Sequence, residues 1–222
     1  MQFGRRQFLG AIAASAASVI CERGAAQALP LQTASPWGFM PACNGPAAAI
    51  EAAPGAPALL PRALAALEAH GNSLAVRDTI GIVDFSAPSR DPRFYLVDVA
   101  SRAVTDTFLV AHGKGSDPAN RGWVERLSNR HGSEASCSGS FLTGALYSGE
   151  HGPSRRLIGL DPENDQAIPR GIVIHAARYV SQDMVAQHGR VGRSQGCFAV
   201  APAVITTVLA RLGPGRLLFA AR

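Results

Sequence analysis

The sequence predicts a mainly β domain of the α+β class, with a few short helices, standing behind an arm rich in Ala and Pro. Three observations carry this. From Thr79 onward the chain breaks into short β-like runs separated by Gly, Pro, Asp and Asn. Apolar residues at helical spacing stand out in two stretches, "LLPRALAALEAHG" and "APAVITTVLARLG". Before residue 57 or so the composition is different, dense in Ala and Pro with little periodicity. Short strands in succession favour a β-rich core over alternating βα units.

In chain order, "MQFGRRQFLG" supplies paired arginines, Arg5 and Arg6, ahead of a mildly apolar Ala/Ser stretch. That stretch falls short of the ~20 strongly apolar residues a spanning helix needs. Small residues at Ala26 and Ala28 complete a signal-peptidase pattern, so residues 1–28 read as a twin-arginine export signal. The bulky Ile20 before Cys21 speaks against a lipid anchor. Residues 29–57 read as a linker or loose arm, and 58–222 as the folded domain. That domain opens on a helix with Leu60, Leu64 and Leu67 on one face and Gly71 as its stop. Strands are expected at "TIGIVDF", "RFYLVDVA", "VTDTFLVAHG", "SFLTGALYS", "RLIGL" and "GIVIHAA". A second helix, with Pro202 in its first turn and Gly213 after it, precedes a last strand, "RLLFAA".

The formal charge of +5 drops to +3 once Arg5, Arg6 and Arg23 leave with Glu22. A mildly basic chain with no Lys/Arg cluster and no aromatic stacking set gives no basis for nucleic-acid binding. Removing the signal leaves Cys43, Cys137 and Cys197, an odd number, so an oxidising compartment leaves at least one thiol unpaired. If Cys43 pairs with Cys137, Cys197 is the free one.

His175 ends the apolar run "GIVIH", and Cys197 follows 22 residues later in "RSQGCFAV". The intervening "YVSQDMVAQHGRVGR" must leave the strand, form a short helix or loop and return, which can bring thiol to imidazole. An adjacent base or cation makes thiolate available from a thiol that is mostly protonated at neutral pH. Arg193 offers positive field, Gly196 a close backbone approach, and the amides near Gly196 and Cys197 a place for an oxyanion. Ser194 reads as support for the turn or the imidazole.

With these residues in place, "IVIHAARYVS…GRVGRSQGCFAV" resembles the signature of the L,D-transpeptidases, cysteine enzymes that cross-link bacterial peptidoglycan. Their motif sets a strand histidine ahead of Ser/Thr-x-Gly-Cys, here His175, Ser194, Gly196 and Cys197. The resemblance extends to "SCSGSFLTGALYSGEHGPSRRLIGLDPENDQA" and so over most of residues 79–220. It implies a β-sandwich or barrel domain, no metal and no organic cofactor, and peptidoglycan stem peptides as partners of an exported monomer. It also implies that Cys197 attacks the third-position diamino acid carbonyl of a tetrapeptide stem and releases D-Ala. Two departures stand out: Gln195 where many members carry His, and Phe198–Ala199 where they carry a polar pair. These bear on the acceptor and on the balance of transfer against hydrolysis.

Around that centre, Arg193, Gln195, His151 and one of Arg155 or Arg156 are candidates for holding the stem, the arginines through bidentate carboxylate contacts. His112, His131 and His188 sit beside glycines and read as loop residues. "HGSEASC" lacks the paired spacing of a zinc site. Papain-like enzymes place Cys before His. Sortases keep the order seen here, but expect an Arg on the strand after the thiol, where this chain has Phe198–Val200. Two other readings stay open: hydrolysis on the same scaffold, and an exported domain that binds peptidoglycan without catalysis.

Overall fold

A computed structural model describes residues 57–222. Residues 1–28, read above as an export signal, nearly all of the arm, and Cys43 lie outside the described residues.

Eight strands form one sheet in the order β3-β2-β1-β8-β4-β5-β6-β7. They are β1 (Thr79–Asp84), β2 (Phe94–Asp98), β3 (Val104–Phe108), β4 (Gly139–Gly149), β5 (Gly152–Gly159), β6 (Val173–Ala176), β7 (Phe198–Val200) and β8 (Leu217–Ala221). Pairing is antiparallel except at β1–β8 and β6–β7. The two edges approach each other: the chain leaving β3 bridges β7 at Val110–Val200, and Ala111 N–H donates to Ala199 O at 2.9 Å. The sheet therefore curls toward closure, which hides the backbone groups an open edge would expose.

Period-2 burial explains why β8 can be apolar at every position. Leu218 and Ala220 face the inner core, with Phe94, Phe141 and Phe198. Leu217, Phe219 and Ala221 face a second cluster built on α1 (Leu60–Ala69). That helix buries Leu60, Ala63 and Leu67, while Leu64 is only partly covered. Gly71 does not cap it; His70 does, and the chain runs on into a tight turn at Gly71–Ser73. α3 (Ile205–Arg211) starts after Pro202 rather than over it and packs Ile205, Val208 and Leu209 on the inner core.

Two elements position the thiol. β7 holds Phe198 fully buried, with ring centroids 5.9 Å from Phe85 and 5.5 Å from Phe141. Burying such a ring contributes roughly 1.5–3 kcal/mol, so the residue after Cys197 is pinned. α2 (Gln182–His188) returns the chain from β6 toward β7 and is capped by Ser181, whose hydroxyl accepts the Met184 N–H at 3.2 Å. His188 is thus the last helical residue rather than a loop position.

Candidate active site

β6 and β7 run parallel with His175 opposite Ala199 and Ile174 opposite Phe198. Opposed residues share a face, so Ile174 and Phe198 point into the core while His175 and Ala199 share the other; Cys197 stands at the turn that enters β7. Cys197 and His175 line one cleft of about 720 Å³.

The thiol donates to Gly171 O, with sulfur and oxygen 3.4 Å apart. Burial pushes its pKa up, against the opposing pull of the Val173 N–H and the Arg170 charge. His175 is 3 % exposed and its Nδ1 lies 2.9 Å from Ala176 O. A carbonyl can only accept, so Nδ1 carries the proton and Nε2 keeps its lone pair. Burial pushes the imidazole pKa down; the Ala176 hydrogen bond opposes this and the nearby His151 adds to it. Both groups therefore rest neutral, and the imidazole is available to take the thiol proton during attack.

Ser194 builds the turn. Its hydroxyl accepts the Gly196 N–H at 3.1 Å and donates to Cys197 O at 2.7 Å. Gly196 has φ +116°, and a Cβ there would stand 2.7 Å from Ala135 O. Only glycine suits both the dihedral and the space. The Gly196 amide, one of the two expected to face an oxyanion, is thus committed to Ser194. The Cys197 N–H has no partner among the described residues.

The other expected contacts divide. Gln195 is exposed and lines the cleft, as does His151, whose ring stacks on His175. His151 and Glu150 form the two-residue connection between β4 and β5. Arg193 also reaches the cleft, but its guanidinium donates to Asp117 O and Pro118 O, and it is not among the charges acting on the thiol. Arg155 lies elsewhere. It pairs with Ile174 and so points to the core face, 4 % exposed, donating to Gly144 O and Leu209 O at 2.8 Å each. Arg156, on the opposite parity, covers the Tyr147 ring at 4.4 Å, beside the cleft.

Sequence reasoning passed over Arg170, which lines the cleft beside the thiol and donates to Ser128 O at 2.8 Å and to Ala135 O. Tyr179 was missed too; burial, with the Cys197 charge, raises its hydroxyl pKa to about 12. No local motif marks either residue; Arg170 takes its place from the 128–135 loop. His131 lines the cleft as a loop residue. His112 is a loop residue too, but a fully buried one, held between Arg93 and Asp117.

The model of a family described as the L,D-transpeptidase catalytic domain matches residues 55–221. Among solved structures the chain is similar to an L,D-transpeptidase from Mycobacterium smegmatis, at 13% identity over 65% of this chain and 59% of that one, TM-score 0.41. One from Xylanimonas cellulosilytica is 14% identical over 72% and 70% of the two chains, TM-score 0.40. L,D-transpeptidase 3 from Mycobacterium tuberculosis, in complex with a faropenem-derived adduct, is 9% identical over 65% and 60%, TM-score 0.42. The chain thus spans about three fifths of the length of the first of these. No curated protein matches it. With the family model covering all but the last of the described residues, this chain belongs to the L,D-transpeptidase catalytic domain family.

Proposed function

We propose that this protein is an exported L,D-transpeptidase that acts on peptidoglycan tetrapeptide stems through a Cys197 thioester. The observation that carries the reading is a neutral imidazole, its Nδ1 fixed by Ala176 O, lining the same cleft as a thiol that stands just before the neighbouring strand.

In this reading His175 Nε2 takes the Cys197 proton as sulfur attacks the carbonyl of the third-position diamino acid. The Cys197 N–H meets the developing oxyanion. Collapse breaks the peptide bond, His175 returns the proton to the departing D-Ala amine, and a thioester remains. An amine of a second stem then attacks, gives its proton to His175, and expels the thiolate, which takes that proton back. Gln195 and His151 contact the stem from the cleft walls, and Arg193 holds the turn rather than a carboxylate. The twin-arginine pattern in residues 1–28 supports action outside the cytoplasm.

Incubating the mature protein with tetrapeptide-stem muropeptides, beside a Cys197→Ala control, tests the reading by intact mass and product analysis. Loss of D-Ala with a cross-linked dimer, absent in the control, is expected. Cleaved monomers alone make the enzyme a hydrolase on the same thiol. No Cys197-dependent product and no acylation by a carbapenem leave a binding domain.

A further inference from the structure

Next to the thiol turn, and outside the cleft lining, three ionisable side chains are buried together. Arg93, His112 and Asp117 are each 0 % exposed. An Arg93 terminal nitrogen lies 2.7 Å from His112 Nδ1, and His112 Nε2 lies 3.3 Å from an Asp117 carboxylate oxygen. A guanidinium only donates, so Nδ1 is the acceptor and the proton sits on Nε2, directed at Asp117. The ring is held as one neutral tautomer; burial first, then the Arg93 charge, presses its pKa down to about 4. Arg93 also donates to Val110 O and, at 2.7 Å, to Ala87 O. Asp117 accepts the Arg121 and Gly122 N–H groups at 2.8 Å each.

The same residues hold the turn through their backbones. His112 O accepts the Ser194 N–H at 2.9 Å, and Lys114 N–H donates to Ser194 O at 2.8 Å. Gly113 N–H donates to the Ser136 hydroxyl at 3.0 Å, which donates in turn to Gly196 O at 3.3 Å. Gly113 is pressed so close that a Cβ would meet Gly196 N at 2.8 Å. Arg193, next to Ser194, donates to Asp117 O. The contacts close a ring: His112 side chain to Asp117, Asp117 carbonyl to Arg193, Ser194 amide back to His112 carbonyl. A buried charged set of this kind gains little net stability over an apolar plug, while it does fix one backbone arrangement.

We propose that His112, locked between Arg93 and Asp117, is a positioning residue that sets the Ser194–Cys197 turn and thereby the alignment of the thiol with His175. The proposal rests on the reading of Cys197 as the nucleophile, and its test separates the two.

The test reads Cys197 alkylation by iodoacetamide against pH, by peptide mass, together with kcat and KM on tetrapeptide stems. Alkylation needs no substrate, so it reports the turn even if stems are not turned over. His112→Leu removes acceptor and donor together, and displacements of about 1 Å cost on the order of 100-fold in rate. The expected result is a kcat loss of about that size with KM little changed, and an alkylation midpoint moved to higher pH as the Val173 amide loses the sulfur. His112→Gln, which supplies one acceptor and one donor, restores most of the rate. If His112→Leu does not fold, Asp117→Asn decides: the same midpoint shift is expected. A folded His112→Leu or Asp117→Asn protein that melts earlier but keeps the wild-type midpoint and kcat overturns the proposal. A shifted midpoint without turnover in wild type upholds it and sinks transpeptidation alone.

Discussion

The imidazole of His151 lies over that of His175, with ring centroids 4.3 Å apart and planes 22° from parallel. The tip of the β4–β5 hairpin thereby covers the proposed base and contributes to its low pKa. Removing His151 takes away a like charge and part of the desolvation, so the His175 pKa rises. A general base must be unprotonated, and the acid limb of the kcat/KM profile in His151→Ala should move to higher pH. A limb that stays, or moves down, contradicts the stacked arrangement as a tuning device. NMR titration of the His175 ring checks the assignment directly.

Substituting His175 itself removes the proton acceptor whose ring is fixed by the Ala176 carbonyl beside the sulfur. His175→Gln keeps a polar group but no base, so kcat should fall by about 10²–10⁴-fold. Carbapenem acylation, followed by intact mass, should slow in parallel. An unchanged acylation rate means that the base is elsewhere.

Gly196 combines φ +116° with a backbone neighbour where a side chain would begin. Gly196→Ala therefore strains the turn by roughly 1–3 kcal/mol and displaces the thiol. Activity should drop by about 100-fold while circular dichroism keeps its β signature. A variant that melts near wild type and turns over normally would show the turn to be more tolerant than its geometry implies.

Arg155 illustrates what one residue of register decides. "SRR" names two arginines, and nothing local says which one faces the cleft. Pairing of β5 with β6 settles it: Arg155 shares the core face with Ile174, and Arg156 the face of Val173. Arg155→Met leaves the Gly144 and Leu209 carbonyls without their donor, a cost of roughly 1–3 kcal/mol. Its KM for stems should not move, because the side chain never reaches the cleft. A several-fold rise in KM at unchanged stability would put the guanidinium back among the substrate contacts.

Helical spacing made α1 and α3 readable, and apolar or alternating runs set off by turn residues did the same for seven of the eight strands, β8 among them though it is apolar throughout. β7 escaped notice because three residues, Phe198–Val200, are too short a run to read as a strand. The thiol and imidazole were legible because the Ser-x-Gly-Cys turn and the strand histidine are local features. What orients them was not. The Ala176 carbonyl that fixes His175 leaves no trace in residue type. Arg170 and the Arg93–His112–Asp117 set depend on loops distant in sequence, and the glycine beside His112 marks a loop without telling that the fold buries it.

That burial sets how stability depends on pH. His112 is neutral in the fold with a pKa near about 4, against 6.5 when unfolded. Between those values the unfolded chain binds a proton that the folded chain excludes, so stability is complete above pH 6.5 and is lost as pH falls toward 4. The loss from this one group amounts to about 3 kcal/mol. His175, also pushed down by burial, adds a contribution of the same sign. Urea midpoints measured from pH 7 to pH 4 should therefore fall steeply in wild type and more gently in His112→Gln, which has no proton to gain. Equal slopes in the two proteins would mean that acid reaches the fold through other groups, with His112 already protonated in its buried place.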